Sequence, residues 1–467
     1  MNKSFIHHVS VATLTLFFFS GCVMTNVSNE PEPIGDGNQS LEGQAINVLI
    51  PAGGIGQFNA WEARSKQFTK ETGIEVIYHE TPYENLMENI ISEGISDSGF
   101  YDVVVFLDSM GPALHQFLQP LDSYVERDDF HVDRWPEAIV NLSTFEGTLY
   151  SLPIRAHVQM LFYREDLFNE LNLEVPTTWD EFQEVSRIIT EETDTYGIVP
   201  YYGAGNNGQN IPLWTAHLWS NGAELFDENL RPAFTTPEAI EATEAYVNLF
   251  SVDKVAPPGS VTFGEQDSRT SFRQGGGAMW IGWWWTYPEF NDPNMSAEEV
   301  AGNVSFASVP GWEGKSAQPS ISTFPTAIMR SSEKRDAAWE FLQWLAEPEE
   351  ELEIVQDHLT GESSPNQSST VITQRDNLLN HELNDLTDGF YELAGENFER
   401  ARALPTLTDW PRIADLLSSA ISEMAAGAPV EESLNRVADR VEHLLERAGY
   451  YEEAMETKGE EGEASVE

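Results

Sequence analysis

The sequence predicts an α/β fold that opens with a doubly wound parallel sheet. Three observations point there. Apolar residues make up 41% of the chain and charged residues 22%, enough apolar material for packed cores. Strand and helix patterns alternate between residues 45 and 107. The connections between them are short, as right-handed crossovers between parallel strands require. AINVLIP (45–51) is a continuous apolar run, the pattern of a strand covered on both faces. Residues 57–71 place Phe58, Trp61 and Phe68 at helical spacings with charges between them, and Thr72-Gly73 stops that helix. IEVIY (74–78) is a second strand, 83–93 a second helix and YDVVVFL (101–107) a third strand. Ligands of such sheets lie beyond the carboxyl ends of the strands, here PAGGIG (51–56) and Asp108-Ser109-Met110. Later helices are expected over 176–192, opened near Thr177 and Thr178, and over 237–250, 331–347, 413–426 and 431–448.

Composition narrows the function. The 467 residues carry 77 Asp+Glu against 25 Lys+Arg, a net charge of −52. So acidic a surface repels phosphate backbones, which argues against nucleic-acid binding. Its extent suggests adaptation to a salty exterior, where like-charge repulsion is screened. The single cysteine, Cys22, excludes internal disulfides and CxxC zinc sites in a monomer. Residues 1–21 combine one Lys, an apolar run VSVATLTLFFF (9–19) and small residues before Cys22, the pattern of a secretory signal. The stretch resembles the lipobox of bacterial lipoproteins, which implies a lipidated Cys22 and a membrane anchor. Residues 22–44 read as a flexible tether. The tail, 451–467, is Glu-rich and almost free of apolar residues, and reads as disordered.

Several segments in order resemble one family, the extracellular solute-binding proteins of sugar ABC transporters, the maltose-binding-protein-like class. They are FTKETGIEV (68–76), YDVVVF (101–106), PLDSY (120–124), FEGTLYSLPIRAHVQMLFYREDLFNELNLEVPTTWDEF (145–182), PPG (257–259), FRQGGGAMWIGWWW (272–285), AAWEFLQWL (337–345) and LERAGY (445–450). Each match is weak alone; their order and spacing across residues 45–450 carry the resemblance. It implies a periplasmic-binding-protein-like fold of two doubly wound α/β lobes, joined by a multi-crossing hinge, with the ligand between them. On that pattern lobe 1 is 45–155 plus 318–370 and lobe 2 is 156–317 plus 371–450. Crossings are expected near 153–157 and 317–324.

Sugar rings present apolar C–H faces that flat aromatic rings cover, while hydroxyls need a few polar partners. The chain has 13 Trp, twice an ordinary share, although most single tryptophans are core residues. Aligning GGGAMWIG on the family pattern puts Trp285 at its sugar-stacking position, with Trp284 and Tyr287 as neighbours. Adjacent strand residues alternate faces, so at most two of Trp283, Trp284 and Trp285 share a side. Trp410 falls on a second stacking position, with Asp409 or Arg402 as polar companion; the alternative is packing at a helix start. His157 falls where the family has a polar cleft residue, and Arg155, two residues away, faces the same side if extended. An interdomain salt bridge is the other reading of Arg155. Asp108 and Ser109 follow a strand end where the family holds hydroxyls; the other reading is a helix cap. The loop 53–56 lacks the charged ligand residue common there, leaving Gln57 or Asn59 as substitutes.

GAGNNG (203–208) matches GxGxxG, but the spacing lacks an evident following helix and a later acidic residue, so a dinucleotide site is not expected. An amide-rich cleft loop centred on Asn207, followed by Trp214, is the better reading, against a plain solvated loop. No HExxH, GxSxG or Walker A pattern occurs. The resemblance therefore implies a non-enzymatic, exported binding component that needs no cofactor and holds no metal. Its partners would be a small-molecule sugar and the permease subunits with their ATPase, and a monomer is expected. A non-sugar solute such as a glycerol phosphate or polyamine is the second reading, and a secreted carbohydrate-cleaving enzyme the third.

Overall fold

The computed structural model describes residues 40–52, 56–205, 208–361 and 370–451. Cys22, Asn207, the leader and residues 452–467 lie outside them. The thirteen described strands run β1 (Ala45–Pro51), β2 (Glu75–Thr81), β3 (Val103–Val105), β4 (Thr144–Phe145), β5 (Thr148–Leu149), β6 (Ser151–Leu152), β7 (Ala156–Arg164), β8 (Tyr196–Ile198), β9 (Gly277–Trp283), β10 (Val304–Ala307), β11 (Ser320–Thr323), β12 (Thr326–Ile328) and β13 (Arg402–Ala403). The first sheet has the order β2-β1-β3-β12-β6. β1 pairs in parallel with both β2 and β3, the doubly wound pattern expected of the N-terminal region. The second sheet has the order β13-β11-β7-β9-β8, with β10 also paired to β7.

Two stretches carry the chain between these sheets side by side. One is 153–155, between β6 and β7; the other is 324–325, between β11 and β12. They touch directly, because the Phe324 N–H donates to the Arg155 carbonyl at 2.8 Å. Sheet switching through short paired segments is what allows two lobes to rotate as units.

β7 shows the logic of its pattern. Ala156, Val158, Met160 and Phe162 share a core with Val48, Val103 and Leu152 of the first sheet. Leu161 turns the other way, into a second core built from the helices Ile211–Ser220, Pro237–Ser251, Trp410–Ala425 and Val430–Arg447. His157 and Gln159 lie on that second face, at the end nearest the crossings. The helix Phe390–Arg400 closes the first core with Phe390, Tyr391 and Phe398.

Helix starts follow side-chain chemistry. The expected helix over 176–192 begins at Trp179, because Thr178 is extended and forms a capping box with Glu181. The strand expected over 101–107 is paired only at Val103–Val105, since Asp108 already begins a 3-10 turn. A helix does follow the GxGxxG stretch: Ile211–Ser220, opened by Pro212 and buried along its whole length. The ends of the expected tether and tail are also held. Gly43 N–H bonds the Gly73 carbonyl at 2.9 Å, and Arg231 lies 4.0 Å from the Tyr451 ring centroid. Residues 371–377, expected in lobe 2, bond backward: Thr373 Oγ1 accepts from Trp135 Nε1 at 3.0 Å, and Thr373 N donates to Glu351 at 2.7 Å.

Candidate functional site

The crossings bring four of the sequence-predicted residues together. Arg155 is 3% exposed, and among the described residues its Nε and Nη1 have no hydrogen-bond partner. Its guanidinium lies 5.1 Å from the Phe58 ring and 4.7 Å from the Phe324 ring, one from the helix after β1 and one from the second crossing. The expected alternative of an interdomain salt bridge is absent among the described residues. Burial alone pushes the Arg155 guanidinium down to about 9, with no carboxylate to hold it up.

His157 is 4% exposed and neither ring nitrogen has a partner. Its ring centroid lies 5.9 Å from Phe324, 6.2 Å from Trp285 and 6.4 Å from Trp283. Burial, then the charge of Arg155, holds His157 well below the usual imidazole range, so it is neutral at pH 7. A neutral imidazole offers one donor and one acceptor, which suits a hydroxyl. Trp283 and Trp285 are half-buried, and Arg269 sits 4.9 Å over the Trp285 ring, itself held by Glu265 and Glu289.

Asp108 acts as a clasp at this place. Its Oδ2 accepts the Thr323 N–H at 2.7 Å and its Oδ1 the Ser109 N–H at 2.6 Å. The first bond joins the end of β3 to the end of β11, across the two sheets. Burial raises the carboxyl to about 6, against the opposing pull of these N–H donors and of Ser322. Ser109 is half-buried beside it. The alternative reading, a helix cap, is not met: the helix Gly111–Leu114 starts at Met110 without a side-chain cap bond, and within its own turn Asp108 bonds only the next N–H, of Ser109.

Three tryptophans expected at the ligand are core residues instead. Trp284 is fully buried, donates from Nε1 to the Ala156 carbonyl at 3.2 Å and stacks on Phe390 at 5.9 Å. β9 ends at Trp283, and the 3-10 turn Trp284–Thr286 that follows points Trp284 into the first core while Trp285 stays half-buried at its edge. Trp214 is fully buried in the Ile211–Ser220 helix and donates to Thr243 at 2.9 Å. Trp410 is 3% exposed, opens its helix and packs in the second core, the helix-start alternative. Its expected companions are engaged elsewhere: Asp409 with Arg412 at 3.0 Å and Arg402 with Glu224. Tyr287 stacks on Phe390 at 4.8 Å, and Asn210 donates to two carbonyls, of Tyr202 and Ser418, both at 3.0 Å.

Residues that sequence reasoning missed are Trp283, Phe324, Phe58 and Arg269. Trp283 carried no separate signal, because the strand ends there and a 3-10 turn, not strand alternation, orients Trp284 and Trp285. An open groove of about 680 Å³ between the two C-terminal helices, lined by Asp409, Arg412, Asp439, His443 and Arg447, holds none of this cluster. Among the described residues no group of three or more metal-ligating side chains occurs, and no helix is long and apolar enough to cross a membrane.

Comparison with known proteins agrees with this architecture. The family described as bacterial extracellular solute-binding protein matches residues 52–351. A binding protein of Brucella abortus is 24% identical over 381 residues, covering 79% of this chain and 85% of its own. The mannitol-binding protein of Pseudomonas aeruginosa is 28% identical over 219 residues, 46% of this chain and 49% of its own. The maltose-bound T. maritima MalE3 superimposes with a TM-score of 0.73 at 21% identity, over 86% of this chain and all of that one (100%).

Proposed function

This chain belongs to the bacterial extracellular solute-binding proteins, and we propose that it is the sugar- or polyol-capturing component of an ABC importer. The observation that carries the reading is the cluster at the crossings. Two buried polar side chains, Arg155 and His157, keep free hydrogen-bonding atoms among the rings of Trp283, Trp285 and Phe324. Rings cover the apolar faces of a sugar; the free donors and acceptor meet its hydroxyls. The names of relatives support the class, since one is a mannitol-binding protein and another an arabinooligosaccharide-binding protein.

Capture works by population shift. The lobes open and close about residues 153–155 and 324–325, and a solute that touches both sides of the crossing region favours the closed form by its extra contacts there. The closed protein then docks on the permease, and no bond of the solute changes. Lipidation of Cys22 would hold the protein at the outer face of a membrane, as a monomer on its tether. Polyamines are disfavoured because the buried centre already carries a cation, Arg155.

A thermal-shift screen at molar salt tests the reading, with sugars, sugar alcohols, glycerol phosphates and polyamines. A micromolar ligand at millimolar concentration adds about 4 kcal/mol of stability. The expected result is a shift with one sugar or polyol class and recovery of that solute intact. Shifts only with phosphates or polyamines would overturn the solute class, and product formation in the same wells would overturn the non-enzymatic reading.

A further inference from the structure

Most other arginines of this chain meet carboxylates. Arg64 pairs with Glu350, Arg127 with Asp336, Arg164 with Asp166, Arg187 with Glu184, Arg269 with Glu289 and Arg402 with Glu224. With 77 acidic residues for 25 basic ones, a carboxylate partner is the easiest thing for this sequence to supply. Among the arginines without such a pair, only Arg155 is buried. It is 3% exposed, and Nε and Nη1 are both unpartnered. Asp108, the carboxylate that clasps Thr323 beside the crossings, has committed its oxygens to the N–H groups of Ser109 and Thr323. Ring faces of Phe58 and Phe324 stabilise the guanidinium, but they accept no ordinary hydrogen bond and bring no formal charge.

A buried cation without a counter-charge is costly, and the cost falls when one arrives. A neutral sugar hydroxyl offers a dipole to Arg155; a carboxylate offers a charge and a charge-assisted bond. The rest of the surroundings fits a single negative charge beside hydroxyls. His157 is neutral, with one donor and one acceptor free. The other cations nearby are already compensated: Arg269 and Arg273 share Glu289, at 3.1 and 3.4 Å. One uncompensated arginine suits a carboxylate better than a phosphate dianion.

We propose that the solute is a sugar acid, a uronate or related carboxylate-bearing sugar, whose carboxylate meets Arg155 while a hydroxyl meets His157. This rests on the reading of the chain as a sugar-binding protein and narrows the substrate within it.

Calorimetric titration of the full chain in molar salt tests it. The probes are D-galacturonate and D-glucuronate, their methyl esters, the neutral parents galactose and glucose, and glucose 6-phosphate. The methyl ester keeps the shape and removes the charge. The expected result is binding of a uronate about 10–100-fold tighter than its methyl ester and its parent sugar. Arg155→Gln should erase that difference, and Arg155→Lys should keep part of it. The wild-type comparison of uronate with ester stands even if both variants misfold. Equal affinity for uronate, ester and parent would overturn the acid assignment and leave the sugar reading intact. Tighter binding of glucose 6-phosphate than of either uronate would overturn the carboxylate in favour of phosphate. No heat with any of these sugars, alongside a thermal shift with a polyamine, would overturn both.

Discussion

Two buried charges, Asp102 and Arg155, lie on either side of the line between scaffold and site. Asp102 is fully buried, and both of its oxygens are used. Oδ2 accepts from the Asn47 N–H at 2.8 Å and from Lys334 Nζ at 3.2 Å, and Oδ1 from Ser332 Oγ at 2.6 Å. These bonds pin β1 and the turn after β12 to the start of β3. Arg155 is as deeply placed, yet two of its nitrogens face no acceptor. A buried charge that the fold satisfies holds the fold together. One that the fold leaves unsatisfied is carried at a cost in stability, and the molecule recovers it only when a partner arrives.

The largest test of that contrast is between neighbouring tryptophans. Trp284→Ala should cost about 3–5 kcal/mol, because it opens a cavity against Phe390, Tyr391 and Phe398. Trp285→Ala, half-buried at the edge of that core, should cost far less stability and weaken solute binding instead. Urea denaturation and calorimetry on the two variants separate the effects; equal stability losses would break the division between core and rim.

Removing charges comes next. Asp102→Ala should destabilise by about 3 kcal/mol, since it strands Lys334 and two donors. Arg155→Met should do the reverse, leaving stability unchanged or raising it by about 1–2 kcal/mol, while solute binding is lost. If Arg155→Met unfolds the protein as Asp102→Ala does, Arg155 belongs to the scaffold.

Asp108 sharpens the comparison through pH. Its carboxyl is raised to about 6 in the folded protein, above its unfolded value, so the native state binds the extra proton between about pH 4 and 6. Stability contributed by this group is therefore present at low pH and falls as pH rises through 6. Relative to Asp108→Asn, the wild type should lose about 2–3 kcal/mol between pH 4 and 7. Parallel stability curves for the two proteins would show that the clasp does not titrate in this range.

The smallest expected effect per residue is spread over the whole surface. At a net charge of −52, the melting temperature should climb steadily from low to molar salt as repulsion is screened. A flat curve would separate the acidity of the chain from any need for salt.

Much of the scaffold was legible because it is local. Apolar runs and helical spacings placed β1 at Ala45–Pro51 and the first helix within a residue of Gly56–Thr72. Thr177 and Thr178 marked a helix start near 176, three residues before the Trp179–Glu192 helix begins. The site was legible in part. Arg155 and His157 stood out at an expected crossing, but Trp284, Trp214 and Trp410 did not separate from Trp285 by composition. A tryptophan that stacks on a sugar and one that fills a core have the same chemistry, and only their surroundings differ.

The sequence by itself determined the order of strands and helices in the first region, the acidic charge and the run of segments that marks the family. Those properties depend on residues a few positions apart. Tertiary structure alone decided that Trp283 and not Trp284 joins Trp285 at the rim. It also decided that Asp108 clasps Thr323, 215 residues away, and that Arg155 has no carboxylate partner among the described residues. Partnership between charges is a matter of distance in space, and 77 acidic residues along a chain say nothing about which arginine goes without one.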